Sequence, residues 1–257
     1  MLALPRGGGG LARALPSLRS LLVGLAVFAV AVGGYLAARD TSLFAVQTVV
    51  VRGAPPTVRA QVRAALRPVV GASLLGVDGS VVARRLAGVS WVSSSSFDRS
   101  FPHTLVVTVK PERPVAVLRR GADSWLVSAR GRVLQTLPRH SRLDLPRIWV
   151  PHTASVGVGA TLGNDDGGRD ARALAPLALV RFPEHVASVD ATDDQLTFVL
   201  RSGLALRLGD SGDLRLKLAI ARRVLPMLGS PGPGAYLDVS VPQRPVADPN
   251  PQVGGRA

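Results

Sequence analysis

The chain of 257 residues contains no cysteine, so disulfide staples and thiol catalysis are excluded and any extracytoplasmic domain must hold together by packing alone. Lysine is nearly missing as well: the only two are Lys110 and Lys217, and arginine carries almost all of the positive charge. No Asp or Glu occurs before Asp40. Removing the four arginines of residues 1–39 from the net charge of +14 leaves +10 on the remainder, which invites a nucleic-acid reading. The cations are nevertheless scattered along the chain, with no basic run and no aromatic-interleaved stripe, so a solvated basic face is the expectation and no nucleic-acid partner is assigned.

Long apolar runs are absent except for one, Leu21 to Ala38, which is 18 residues without a charge. As a helix it spans ~27 Å, close to the hydrocarbon thickness of a bilayer. Arg6, Arg13 and Arg19 precede it without an acid, whereas Arg39 beyond it is offset by Asp40. The positive-inside bias therefore puts the N-terminus in the cytoplasm and the rest of the chain outside. A cleaved signal peptide is the competing reading, but its apolar region is shorter and Leu36-Ala37-Ala38 fits a cleavage site poorly. Residues 1–20, with Gly7 to Gly10 and two prolines, read as a flexible cytoplasmic tail and 21–38 as the transmembrane helix.

Beyond the anchor, Phe44, Val46, Val49 and Val51 mark a first strand, with a change of phase at Gln47-Thr48 that suggests a bulge, closed by Gly53 and Pro55-Pro56. Thr57 is the expected cap of a short helix bearing Val58, Val62, Leu66 and Val69. Asp78 or Ser80 caps a second, with Val81, Val82, Leu86 and Val89 inward and Gly88 at its end. Trp91 to Arg99 reads as a strand, Phe101-Pro102 turns, and Leu105, Val107 and Val109 alternate in the next. Residues 43–112 thus form a β-α-α-β-β unit with two helices on one face of a small sheet.

These fragments in this order, Phe44-x-Val46, Val49-x-Val51-x-Gly53, Leu74-x-x-Val77-Asp78, Trp91-Val92 and Arg99-x-Phe101-Pro102-x-Thr104-Leu105, resemble the POTRA domain of the FtsQ/DivIB cell-division family. The resemblance implies an α+β protein: a single N-terminal transmembrane helix, the POTRA domain and then a mixed β domain with flanking helices. At the junction the family commonly carries Val-x-Glu-x-x-Pro, whereas here Val109-Lys110-Pro111-Glu112-Arg113-Pro114 puts the acid one place late and adds a proline. A turn that is often acidic in the family holds Ser128, and either side chain can bond backbone amides there.

Residues 113–242 are expected to form the β domain. Its strands are Val115 to Leu118, Trp125 to Val127 and Val133 to Leu134, followed by a segment from Leu145 and an exposed loop from His152 to Arg169. A helix from Asp170 to about Arg181, a hairpin from Leu196 to Leu208 turning at Ser202-Gly203, and a helix from Leu214 to Leu228 capped by Ser211 or Asp213 follow. The last ordered piece is Tyr236 to Val241, and 243–257 read as a disordered tail.

Chemistry is sparse. His103, His140, His152 and His185 lack ligand spacing, and the glycines from Gly157 to Gly163 miss the dinucleotide fingerprint. Asn164 to Gly167 lacks the remaining ligands of a calcium loop. Asp193-Asp194 and Asp238 have no neighbouring nucleophile or base. No catalytic residue, metal or cofactor is therefore assigned. An anchored envelope enzyme acting through those aspartates, or a transport-associated POTRA module, are the alternatives.

The resemblance implies a binding function instead. The family's β domain binds the bitopic partners FtsB and FtsL, and its terminal strand region accepts a partner segment by edge pairing. Here that maps onto Tyr236, Leu237, Asp238, Val239, Ser240 and Val241, with Leu237, Val239 and Val241 expected on one face. For the POTRA domain the resemblance implies contacts with other divisome components. Arg99, Phe101 and Pro102 carry the motif and equally serve to shape a turn and a strand. The expected location is the bacterial cytoplasmic membrane, enriched at the division septum.

Overall fold

A computed structural model describes residues 18–40, 42–139, 141, 143–178 and 182–250. The expected cytoplasmic tail lies outside the described residues except for its last three positions, which join the helix. That helix, α1 (Leu18–Asp40), is the one long apolar helix among the described residues, and none of its span from Arg19 to Ala37 is buried against the rest of the chain. A core helix of this composition would be covered by protein. An uncovered one fits a single-pass membrane segment.

The first strand is shorter than its apolar pattern suggests. Ser42–Phe44 is a 3-10 turn, Ala45 makes an isolated bridge to Ser73, and β1 is confined to Thr48–Arg52. The change of phase at Gln47-Thr48 is real: both backbone N–H groups donate to the carbonyl of His103, at 2.9 and 3.2 Å. β1 ends at Gly53, whose φ of 78° and close approach to the Val109 carbonyl leave no room for a side chain.

Helix α2 (Pro56–Leu66) starts one residue earlier than the expected Thr57 cap. Pro55 is extended and Pro56 occupies the first helical turn, where its fixed φ suits the helix and its missing N–H costs nothing, so no side-chain cap forms. α3 (Gly79–Ala87) has the expected cap, with Asp78 accepting from the Ser80 N–H at 2.8 Å and Gly88 at its end. Strands β2 (Val92–Ser100) and β3 (Thr104–Pro111) pair antiparallel, and β3 pairs parallel with β1, giving the order β1-β3-β2. Val62, Leu66, Leu74, Leu86, Leu105 and Val107 are fully buried between this sheet and its two helices.

A nine-stranded mixed sheet follows. Its strands are β4 (Pro114–Arg120), β5 (Asp123–Ser128), β6 (Val133–Leu137), β7 (Arg147–Trp149), β8 (Val186–Ala191), β9 (Leu196–Leu200), β10 (Ala205–Gly209), β11 (Tyr236–Asp238) and β12 (Val246–Asp248). The order is β12-β11-β10-β9-β8-β7-β4-β5-β6. One face is covered by α4 (Arg169–Ala173) and α5 (Leu214–Val224), with Leu118, Ile148, Leu174, Phe198, Leu206 and Leu218 at the centre of the core.

Three expectations are corrected here. The helix expected over Asp170 to Arg181 is a five-residue α4 followed by a 3-10 turn, Ala175–Ala178. Pro176 has no N–H to continue the ladder, and residues 179–181 lie outside the described set. At α5 neither Ser211 nor Asp213 caps by side chain; Asp213 is left-handed at φ 48°. The Asp210 carboxylate instead accepts from the Gly212 N–H at 2.9 Å and the buried Lys217 ammonium at 2.7 Å, because a buried cation needs an anion there. Finally, the expected disordered tail contains β12, held by antiparallel pairing to β11, and residues 251–257 lie outside the described set.

The two units are joined through the β5–β6 turn. Ser128 is fully buried, and its Oγ accepts from the N–H groups of Arg130 and Arg132 at 3.4 and 3.3 Å, as the turn reading anticipated. That turn aims Arg130 at the buried Glu112 carboxylate, with Nε at 3.0 Å, and at the Ser93 carbonyl at 3.0 Å. Arg132 donates to the Ala87 carbonyl at 2.5 Å and Ser90 Oγ to the Leu134 carbonyl at 2.7 Å. Trp91 packs beside Val117, Leu126, Leu134 and Leu137, on the sheet face away from α5.

Candidate partner-binding edge

The segment singled out in the sequence, Tyr236 to Val241, is a short strand followed by a turn. Tyr236–Asp238 form β11; the Val239 N–H donates to the Arg207 carbonyl at 2.9 Å, and Ser240 N–H folds back to Asp238 Oδ1 at 2.9 Å. Leu237 and Val239 are fully buried in the core, whereas Val241 is exposed because the turn breaks the alternation. The Tyr236 ring lies under the Arg207 guanidinium, 4.4 Å from its charge centre.

β11 is not an edge. It pairs parallel with β10 on one side and antiparallel with β12 on the other, so its backbone is already occupied. The edge belongs to β12, which pattern reading missed because three residues between prolines carry almost no periodic signal. Its Val246 is 54% exposed.

Alternation of hydrogen bonding shows what this edge offers. Ala205 N–H donates to the Ala235 carbonyl and Val239 N–H to the Arg207 carbonyl, so the odd-numbered residues of β11 bond to β10. Tyr236 and Asp238 must then face β12, through the pairs Tyr236–Asp248 and Asp238–Val246. That leaves the Ala247 N–H and carbonyl pointing outward. The flanking positions of the same phase are Pro245 and Pro249, which have no N–H, and the Pro249 carbonyl is taken by Gly232 N–H at 2.8 Å. Among the described residues, two prolines thus reduce the edge to one outward donor, a device that limits indiscriminate strand addition.

The other end of the sheet is partly closed. Around β6 the glycine-rich loop lies alongside, with Gly159 N–H on the Val133 carbonyl at 2.8 Å, Val133 N–H on the Ala160 carbonyl at 2.9 Å and Leu162 N–H on the Gly131 carbonyl at 2.8 Å. The glycines of this loop therefore serve sheet closure.

Arg99, Phe101 and Pro102 lie in the other unit, at the β2–β3 turn. The Arg99 guanidinium donates to the Val77 carbonyl at 2.8 Å and sits 5.6 Å from the Phe97 ring centre. Phe101 meets Phe44 edge to face at 5.8 Å between ring centres. Arg99 thus ties the loop before α3 to the sheet, while Phe101 remains largely in solvent.

The aspartates weighed for catalysis have other surroundings. Asp193 is paired with Arg169 at 2.5 Å. Asp194 and Asp238 line one polar cleft of about 420 Å³ with Arg207 and Ser240. Among the described residues no group of three or more His, Asp or Glu gathers as a metal-ligand set.

A single long apolar helix among the described residues, a β-α-α-β-β unit and a mixed sheet whose last strand is paired on one side only fit a single-pass membrane protein built from a POTRA module and a β domain. The sequence model of the FtsQ-type POTRA domain matches residues 44–112. The chain is 28% identical over 142 residues to the cell division protein FtsQ of Streptomyces venezuelae, covering 55% of this chain and 52% of that protein. It is 38% identical over 85 residues to that of Geobacter sp. strain M21, covering 33% and 30% respectively. These alignments span about half of the relative's length or less, whereas the one with FtsQ of Streptomyces coelicolor, at 27% identity over 241 residues, covers 90% of this chain and 89% of the relative. The chain is thus similar to FtsQ cell division proteins, and its residues 44–112 match the FtsQ-type POTRA domain.

Proposed function

We propose that this protein is a non-enzymatic scaffold of the divisome, anchored by α1 with its N-terminus in the cytoplasm and its two folded units outside. In this role it binds other bitopic division proteins, FtsB-like and FtsL-like, and helps assemble septal cell-wall synthesis. Septal enrichment follows from that role, and the POTRA unit contributes contacts to further divisome components. The arginine-flanked, acid-free start of the chain supports the orientation. Sharing one membrane with its partners raises their effective concentration, so the anchor is part of the binding mechanism.

The observation that carries this reading is the β11–β12 ribbon at the sheet's open end, in a chain similar to FtsQ proteins. A partner strand would add to β12 through the outward Ala247 N–H and carbonyl. Tyr236 to Val241 would act as the platform on which that strand rests, not as the pairing edge itself. Leu237→Pro would weaken capture, but Leu237 is buried and its N–H faces β10, so that variant also injures the core. Ala247→Pro is the sharper test, since it removes the outward donor while leaving the two β11–β12 pairs in place. Co-purification of an FtsB-like partner should fall with Ala247→Pro and persist with Ala247→Val. Equal capture by wild type and Ala247→Pro refutes edge pairing at β12.

A further inference from the structure

Among the described residues of 43–112, the large apolar side chains left exposed are Leu43, Val70 and Phe101, at 68%, 49% and 53%. Scattered exposed hydrophobes are ordinary, but these three converge. Leu74 N–H donates to the Phe44 carbonyl at 2.7 Å, Gly71 N–H to the Val46 carbonyl at 2.9 Å, Val46 N–H to the Ala72 carbonyl at 2.9 Å, and Gln47 N–H to the His103 carbonyl at 2.9 Å. His103 Nδ1 lies 3.2 Å from the Ala45 carbonyl, and the Phe44–Phe101 ring contact closes the group. Segments 43–46, 70–74 and 101–103 therefore form one end of the POTRA unit.

That end is also where the chain leaves the apolar helix. The apolar span closes at Ala37, α1 continues to Asp40, and the 3-10 turn carrying Leu43 starts at Ser42. Three more helical residues add only about 4–5 Å of rise, so Leu43 emerges within the headgroup layer. Arg67, at the start of the 3-10 turn that leads into Val70, puts a cation beside the patch. Leu and Phe with a neighbouring Arg are the side chains that settle about 5–10 Å into a bilayer interface containing anionic lipid.

We infer that Leu43, Val70 and Phe101 form a membrane-contact surface that seats the POTRA unit on the outer leaflet, with anionic lipid headgroups as its partner. The inference rests on α1 spanning the membrane. It gives Phe101 a role beyond shaping the β2–β3 turn: the ring is held at its root by Phe44 and presented to lipid. The POTRA unit then has one fixed end, and its orientation relative to the membrane is set by the patch as well as by the anchor.

The cysteine-free chain permits a direct test. Single variants Leu43→Cys, Val70→Cys, Phe101→Cys, Phe28→Cys and Ser94→Cys of the full chain are labelled with an environment-sensitive fluorophore and reconstituted into nanodiscs containing phosphatidylglycerol and a spin-labelled quencher lipid. Phe28 lies within α1, and Ser94 is on the same POTRA sheet, six residues along β2 from Ser100 and so about 20 Å from the patch. Unchanged circular dichroism verifies each fold. The expected result is strong loss of emission at 28, clear loss at 43, 70 and 101, and none at 94. Loss at 28 with positions 43, 70 and 101 as unquenched as 94 overturns the surface while leaving the anchor intact. Quenching at 94 equal to that at the patch also overturns it, and no quenching at 28 overturns the spanning helix and the inference with it.

Discussion

Removing Arg130 should loosen the POTRA unit from the β domain more than its half-exposed position suggests. The Glu112 side chain is only 6% exposed while Arg130 is 57% exposed, and the two meet through Arg130 Nε and Nη2 on one carboxylate oxygen. An exposed pair is worth ~0–1 kcal/mol. Stripping the partner from a fully buried carboxylate costs ~3–5 kcal/mol. With one partner buried and the other half in water, Arg130→Ala should cost ~1–3 kcal/mol, part of it the lost bond to the Ser93 carbonyl.

Glu112→Gln removes the charge that needs a partner, so its cost should be smaller. The Glu112→Gln/Arg130→Ala double variant should then be more stable than the two separate losses predict, with a coupling of about 1–2 kcal/mol. Urea unfolding of the full chain in detergent, followed by tryptophan emission, reads this, because Trp91 sits at the contact between the units. Arg130→Ala should also shift the POTRA transition away from that of the β domain. Losses that add to within about 0.3 kcal/mol, with one unchanged cooperative transition, refute a coupling role for the pair.

Asp170 gives a pH signature. Burial pushes its carboxyl up from 3.8 to about 6, against the opposing hydrogen bond from the Ala191 N–H at 2.7 Å. A carboxyl raised in the folded state contributes stability that is full below pH 3.8 and lost as pH rises through about 6. The full shift corresponds to ~3 kcal/mol, which partial solvent access reduces to about 1–2 kcal/mol. Asp170→Asn should thus match wild type near pH 3.5 and exceed it at pH 7.5 in urea midpoint; equal midpoints at both pH values refute this. At α5, Asp210→Ala should destabilise more than Lys217→Met, because the first leaves an ammonium buried and the second removes it. Thermal midpoints in the reverse order would show that the pair is dispensable.

The elements legible in the sequence were those whose burial imposes a period. The hairpin of β9 and β10 alternates at Leu196, Phe198, Leu200, Leu204, Leu206 and Leu208, and all six are buried. The faces of α2 and α3 read equally well, since Val58, Val62 and Leu66 recur at helical spacing. What pattern could not supply was local competition. Pro176 shortened α4, Pro56 displaced the Thr57 cap, and the need of the buried Lys217 ammonium for an anion, met by Asp210, displaced the expected cap of α5. β8 was missed because Val186 and Val189 sit across an irregularity in register, which disrupts the alternation a strand should show.

The candidate site was half legible for the same reason. Tyr236 to Val241 announced itself through Leu237 and Val239, side chains that the core requires, and burial of those side chains is what makes β11 a poor place for a partner to compete. An edge that must remain available cannot be written in apolar alternation, since apolar residues on a free strand invite aggregation. β12 meets that constraint with three residues, no large buried side chain, and prolines where outward donors would be. Under the proposed function, recognition there would rest on the Ala247 backbone and on what surrounds it, namely Val246 and the Tyr236–Arg207 stack one strand in. One outward donor gives little affinity by itself, so on the proposed reading such an edge would function only with the partner already concentrated beside it. A membrane anchor shared with the proposed partner would supply that condition.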